Sequence, residues 1–192
     1  MTAVTEPSGE QLPEPAKIKL DLGCGTKKKK DFVGIDKIAF EGVDIVTDLG
    51  KEPWPFADGS VAEAHTCHFV EHLDRIERVF FVNELYRVLE KGGKCELVVP
   101  NWCSSRAYGD PTHQWPPMGE FWFFYLDQAW RDREAPHTDA KHWPQGFKCN
   151  FEVTWGYGLH PSVMQRNSEF VQFAINYYKE AAIDIHATLT KI

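Results

Sequence analysis

Ile18-Lys-Leu-Asp-Leu-Gly-Cys-Gly25, followed by Phe32-Val-Gly-Ile-Asp36, sets a strand, a tight glycine turn, a second apolar run and an acidic side chain in one order. Gly23 and Gly25 allow a sharp turn and close approach of backbone to a ligand. Asp36, closing the second run, can accept hydrogen bonds from both hydroxyls of a ribose. That order suits a cofactor that carries a nucleoside. A nicotinamide dinucleotide would require Gly-x-Gly-x-x-Gly at the mouth of a helix that holds the pyrophosphate, and Lys28 stands where the third glycine belongs. The cofactor therefore need not carry phosphates. Only the nine residues from Gly23 to Asp31 link the two runs, whereas a parallel crossover normally takes about a dozen or more. The first helix of such a fold is expected to be short or absent, leaving the backbone amides around Gly23 to Thr26 to act as an anion-binding nest.

S-adenosylmethionine offers a ribose, an adenine and a zwitterionic amino acid without a pyrophosphate. Downstream of Leu20 to Gly25 and Gly34 to Asp36 come Asp48-Leu49, Pro55-Phe-Ala-Asp58-Gly-Ser60-Val61, His68-Phe-Val-Glu71-His72-Leu73 and Asn83-Glu-Leu-Tyr-Arg-Val-Leu-Glu-Lys-Gly-Gly93. With these ordered blocks the chain, over roughly residues 17 to 130, resembles the class I S-adenosylmethionine-dependent methyltransferases, in particular their compact bacterial and phage-type members. The resemblance implies methyl transfer with release of S-adenosylhomocysteine. It places Asp21 and Gly23 beside the methionine moiety, with Cys24 and Gly25 also at the cofactor, Asp36 at the ribose, and Asp48 with the Leu49 backbone at the adenine. His68 would follow the fourth strand into the same site.

Composition agrees with one domain over residues 17–192. The 192 residues, 43% hydrophobic and 14% aromatic, fall within the usual size range of a single globular unit. No apolar stretch approaches the length of a membrane helix. Met1 to Ala16, rich in Pro, Glu, Ser and Thr, read as a flexible tail without the apolar centre of a signal peptide, and a cytoplasmic location is expected. The five cysteines lack paired spacing and are expected to be reduced. A formal charge of −7 disfavours a nucleic-acid substrate, whose binding draws on Lys and Arg. The expected acceptor is a small molecule or sugar. The one basic run, Lys27 to Lys30, reads as a solvated turn or a local anion site. Oligomeric state is not legible.

Alternation of strand and helix signals predicts an α/β fold: a Rossmann-like, mostly parallel seven-stranded sheet with helices on both faces. Strands are expected near 18–22, 32–36, 43–47, 61–67, 94–99, 149–157 and 182–190. Apolar residues at 76, 79, 80, 82, 85, 86, 88 and 89 predict a helix ended by Gly92-Gly93. Further helices are expected around Gly119–Arg131 and over 163–179. The last strands resemble the antiparallel edge on which methyltransferase sheets finish.

Residues 100–160 are left to supply the acceptor site. Pro100-Asn-Trp-Cys-Ser-Ser-Arg-Ala-Tyr-Gly-Asp-Pro-Thr-His113 is a polar loop, and the resemblance sets its Asp-Pro-Thr-His over the cofactor's methyl group. An alcohol acceptor needs alignment, removal of water and a base. His113 is the first candidate for that base and His68 the second, with Asp110 orienting either the substrate or His113. The other reading of Asp-Pro-Thr-His is a helix start, with Asp or Thr as the cap. His68-Phe-Val-Glu-His72 also matches the inverted zincin signature, in which two helical histidines bind zinc, but here it directly follows a predicted strand. Trp115, Phe121 to Tyr125 and Trp130 read as packing, or as a cap over the acceptor. His137 to His142 with Cys149 match no zinc spacing, and no metal is assigned. A rival of another class is a protein that binds the cofactor without catalysis, as an accessory subunit; a third reading is a zinc peptidase with zinc on His68 and His72, and a methyltransferase acting on nucleic acid is a variant of the first.

Overall fold

The computed structural model describes residues 17–137 and 146–192; the expected tail, Met1 to Ala16, and most of the stretch from His137 to His142 lie outside the described residues. Seven strands form one sheet in the order β3-β2-β1-β4-β5-β7-β6. They are β1 (Ile18–Leu22), β2 (Val33–Asp36), β3 (Ile45–Val46), β4 (Val61–Cys67), β5 (Leu89–Pro100), β6 (Phe151–Leu159) and β7 (Ala182–Lys191). β1 to β5 pair in parallel, while β7 runs antiparallel to both β5 and β6. Leu20 and Leu22 of the central β1 are fully buried, as expected of a strand covered on both faces. The chain passes from β1 to β2 through turns alone, so the first helix is absent.

The helix α1 (Arg75–Val88) starts where the Asp74 carboxylate accepts hydrogen bonds from the Ile76 and Glu77 amides and the Asp74 amide donates in turn to the Glu77 carboxylate. These reciprocal bonds satisfy three otherwise unpaired donors and fix the first turn. Phe81, Val82, Leu85 and Val88 are fully buried in the main core, with Leu20, Leu22 and Ile35 of the sheet. Each such side chain contributes roughly 1.5–3 kcal/mol.

Several expected boundaries move. Gly92-Gly93 does not end α1; the chain becomes extended at Leu89 (φ −63°, ψ 138°) and β5 begins there. Val61 pairs with Leu89 but Glu63 with Lys94, so the two glycines form a bulge in β5. A Cβ on Gly93 would lie 2.8 Å from the Glu90 carbonyl oxygen, which makes this a site of close backbone approach. The helix expected around 119–131 is divided into α3 (Glu120–Phe124) and α4 (Gln128–Glu134), because the Asp127 carboxylate caps a new helix at Ala129 and Trp130. α2 (Arg106–Gly109) is a single turn before it. The helix expected over 163–179 likewise divides into α5 (Pro161–Met164) and α6 (Ser168–Tyr177), capped by Asn167. All five cysteines are free; Cys24, Cys95 and Cys149 are buried, and Cys67, at the end of β4, is exposed. No helix among the described residues is long and apolar enough to cross a membrane.

Candidate functional site

The strand ends determine where a ligand can sit. In an open parallel sheet, ligands bind beyond the carboxyl ends of the strands, and two adjoining cavities occupy that place. The first, about 580 Å³, is lined by Gly23, Asp36, Phe40, Asp48, Leu49 and Phe69, among others. The second, about 540 Å³, is lined by Glu71, Pro100, Arg106, Asp110 and His113, among others. His68 and His72 line both.

In the first cavity Asp36 is fixed by its backbone neighbours. Its Oδ2 accepts from the Gly25 amide at 2.9 Å and its Oδ1 from the Ile38 amide at 3.0 Å. A carboxylate oxygen has two lone pairs, so each oxygen can accept one more donor. Gly23 holds φ +70°, a left-handed conformation that favours glycine. A Cβ there would stand 2.3 Å from the Phe69 ring, so the turn and the ring pack without room for a side chain. Asp48 accepts from the Gly50 amide at 3.0 Å, and the Leu49 side chain is buried.

Three residues expected at the cofactor do not line this cavity. Asp21 is not among the lining residues: its Oδ2 accepts from the Lys29 amide at 2.7 Å and its Oδ1 pairs with His65 Nδ1 at 2.9 Å. Its buried carboxylate ties the short β1–β2 connection together in place of the missing helix. Cys24 and Gly25 also do not line the cavity. The expected nest of free amides does not form either. Gly23 and Cys24 both donate to the Ile35 carbonyl, at 2.8 and 3.1 Å, and Gly25 to Asp36. Within the basic run, Lys28 pairs with Asp44 at 2.8 Å and Lys29 with Glu96 at 3.1 Å, so these two ammonium groups are engaged within the chain.

His68 stands at the carboxyl end of β4 with φ +54°, a region that costs a non-glycine residue roughly 1–2 kcal/mol. Its amide still donates to the Val98 carbonyl at 2.9 Å, so the departure from extended backbone begins only after the strand pairing ends. The chain then makes a 3-10 turn, Val70–His72. His68 Nδ1 meets Glu71 Oε1 at 3.2 Å. The hydrogen bond to Glu71 raises the His68 pKa above the usual imidazole value, against the opposing effect of burial. Because His68 lies at a strand end and His72 on a 3-10 turn, the pair does not present the one-helix geometry of an inverted zincin.

The loop after β5 folds back onto this turn. Asp110 Oδ1 accepts from both the Thr112 amide, at 2.8 Å, and the Thr112 hydroxyl, at 2.6 Å, and these bonds hold its pKa below the usual carboxylate value. Thr112 Oγ1 lies 2.9 Å from His72 Nδ1. His113 Nδ1 lies 3.3 Å from the Ala107 carbonyl, and its ring packs edge-on against His72 with centroids 4.7 Å apart. Asp-Pro-Thr-His is thus a turn that organises side chains and does not start a helix.

A residue the sequence reading passed over fastens the two segments. Arg78, on α1 and 2% exposed, donates to the Val70 and Glu71 carbonyls on one side and to the Gln114 and Pro116 carbonyls on the other. Burial lowers its pKa to about 10. The aromatic group does not cap the second cavity. Phe124 stacks on Trp130 and meets Trp155 edge-on, Phe123 stacks on Trp155, and Trp115 and Phe121 are exposed.

The same architecture occurs in solved proteins. A SAM-dependent methyltransferase from Archaeoglobus fulgidus superposes with a TM-score of 0.61 at 16% identity, covering 91% of this chain and 86% of that one. The fold is that of the class I methyltransferases. A SAM-dependent methyltransferase from Methanosarcina mazei gives a TM-score of 0.56 at 15% identity over 93% of this chain and 94% of its own. A geranyl diphosphate C-methyltransferase from Streptomyces coelicolor, in complex with Mg2+, geranyl diphosphate and S-adenosyl-L-homocysteine, gives 0.50 at 15% identity over 93% and 73%. No protein-family model and no curated protein matches the sequence.

Proposed function

We propose that the protein is an S-adenosylmethionine-dependent methyltransferase of the cytoplasm that acts on a small-molecule acceptor. The observation that carries this reading is the pair of cavities meeting at His68 and His72, one furnished for a nucleoside and the other for an acceptor. The residues of the first cavity fit the cofactor. Asp36 keeps an unshared lone pair on each oxygen for the two ribose hydroxyls, and Gly23 with Phe69 gives a close-packed wall where a backbone can approach. Asp48 and the Leu49 backbone take the adenine end. Bound there, S-adenosylmethionine supplies an electrophilic methyl group, whose bonding pair stays on sulfur as the acceptor's lone pair forms the new bond.

The remaining work belongs to the chain. His68, the imidazole at the junction, takes the acceptor's proton. Glu71 can only accept from His68 Nδ1 when ionised, so that nitrogen carries the hydrogen and Nε2 keeps the lone pair. Such a base contributes about 10²–10⁴-fold. His113 and Asp110, across the second cavity, position the acceptor. Burying both reactants against fixed groups replaces the entropy of a bimolecular encounter.

The test is calorimetric titration of the full chain and of Asp36→Ala and His68→Ala with S-adenosylmethionine and S-adenosylhomocysteine, followed by a screen of small hydroxylated acceptors for S-adenosylhomocysteine release. Wild type and His68→Ala are expected to bind, Asp36→Ala to bind at least a hundredfold more weakly, and His68→Ala to lose turnover. Failure of the folded wild type to bind either molecule overturns the reading.

A further inference from the structure

We infer that Glu71, His72 and His113 form a site for a divalent transition-metal ion that opens into the acceptor cavity and draws an acceptor oxygen to it. One ligand atom from each of the three lies within 4.8 Å of the others, and all three line the second cavity. Ligands about 2.0–2.1 Å from a zinc ion stand roughly 3.3–3.5 Å apart in a tetrahedron. Side-chain rotations that move these atoms by about an ångström therefore close the site.

An independent observation points to the same place. Glu71 is 4% exposed; its Oε1 is engaged by His68, while its Oε2 is buried and has no hydrogen-bond partner. A carboxylate oxygen left bare in a protein interior calls for a partner. Here that oxygen belongs to one of the three clustered residues, beside two imidazoles.

The hydrogen bonds behind the imidazoles fix which nitrogen is available. His113 Nδ1 faces the Ala107 carbonyl, which can only accept, so Nδ1 carries the hydrogen and Nε2 keeps its lone pair. Thr112 hydroxyl sits 2.6 Å from Asp110 Oδ1, an ionised acceptor, and 2.9 Å from His72 Nδ1. The hydroxyl donates to the carboxylate and accepts from His72 Nδ1, which again leaves Nε2 free. A metal-binding histidine is oriented in this way, by a carbonyl or a carboxylate chain behind the ring. Arg78 clamps the two backbone segments that carry the ligands, so the cluster sits on a tied frame although His113 is far in sequence from the adjacent Glu71 and His72.

Two imidazoles and a carboxylate suit zinc, manganese, iron or cobalt better than magnesium or calcium, which prefer all-oxygen sites. Three protein ligands leave coordination positions open. An acceptor hydroxyl held there would be more acidic; its proton would pass to His68 as its oxygen bonds to the methyl carbon and the carbon–sulfur bond breaks, the bonding pair staying on sulfur to give S-adenosylhomocysteine. The acceptor class is accordingly an oxygen-bearing small molecule. This role for the ion rests on the methyl-transfer reading, whereas binding of the ion does not.

The test uses the untagged full chain, freed of metal by chelator, titrated with Co2+ followed by visible absorption and with Zn2+ by calorimetry. His72→Ala, His113→Ala and Glu71→Gln are titrated beside it, and S-adenosylhomocysteine binding is measured on each sample. The expected result is one ion per chain at micromolar affinity, with d–d bands of a nitrogen- and oxygen-ligated site, weakened tenfold or more in His72→Ala and His113→Ala. His113→Ala, whose residue lines only the second cavity, should retain S-adenosylhomocysteine binding, which shows that it is folded. Absence of saturable binding by wild type, or binding unchanged in both histidine variants, overturns the site. Intact S-adenosylhomocysteine binding without cobalt binding removes the ion and leaves the methyltransferase reading; cobalt binding without S-adenosylhomocysteine binding keeps the site and removes that reading with the role given to the ion.

Discussion

The two cavities are built from different kinds of sequence. Much of the first is made by short stretches at consecutive strand ends, Gly23 after β1, Asp36 closing β2 and Asp48-Leu49 after β3, so each residue's place follows from a local pattern. The second joins the turn after β4 to the loop after β5, with α1 between them, and its geometry depends on one buried cation reaching both. A site of the first kind loses only local bonds, such as those from the Gly25 and Ile38 amides to Asp36, when a ligand-binding side chain is removed. A site of the second kind fails when its fastening is cut.

Replacing Arg78 is the largest expected break in that comparison. Arg78→Met keeps much of the aliphatic volume but removes the charge and leaves the Val70, Glu71, Gln114 and Pro116 carbonyls short of their donor. Hydrogen bonds to a charged group contribute about 1.5–3 kcal/mol each, non-additively. We expect a loss of about 3–5 kcal/mol in urea denaturation, of the size seen when a buried charged network is broken. Asp36→Ala should lose ligand binding with a smaller fall in unfolding midpoint than Arg78→Met, since it removes only the acceptor of the Gly25 and Ile38 amides. Equal destabilisation by both variants would erase the distinction between the two sites.

What the sequence made legible follows the same division. β1, β4, the glycine turn and the absence of a first helix could be read because strand periodicity and a nine-residue connection are local facts. Gly92-Gly93 was misassigned for the reason that a double glycine ends helices and also permits bulges; only pairing with β4 distinguishes them. Asp21 was placed at the ligand by motif, whereas the missing helix leaves its carboxylate to tie Lys29 and His65. Arg78 carried a usable signal that the apolar stripe hid. It lies four residues before Val82 and seven before Leu85, on the buried face of α1, and a charged residue on that face must find partners. The chain Asp110–Thr112–His72 had no such signal, since it joins loops whose approach is set by tertiary packing.

A second substitution sharpens the contrast within the first cavity. Gly23→Ala adds a Cβ at φ +70° and drives it to 2.3 Å from the Phe69 ring. The strained conformation and the displaced ring together should cost about 1–3 kcal/mol. Because Phe69 immediately follows His68, the variant should also weaken S-adenosylhomocysteine binding, a joint effect that thermal unfolding with and without the ligand would separate. An unchanged midpoint with undiminished ligand stabilisation would mean that the turn is free to move and that Gly23 does not define the cavity wall.

The smallest expected effect tests whether the clamp acts through its own bonds or merely through the stability of the helix that carries it. Asp74 caps α1 by accepting from the Ile76 and Glu77 amides, and Asp74→Ala removes that cap at a cost of about 0.5–2 kcal/mol. The Asp74 backbone carbonyl still accepts from the Arg78 amide, and none of the four carbonyls held by the Arg78 side chain belongs to residue 74. The variant should therefore lower the unfolding midpoint modestly while leaving ligand binding and metal titration near wild type. If Asp74→Ala instead disturbs the second cavity as Arg78→Met does, the frame depends on the whole first turn of α1, and the guanidinium is one support among several.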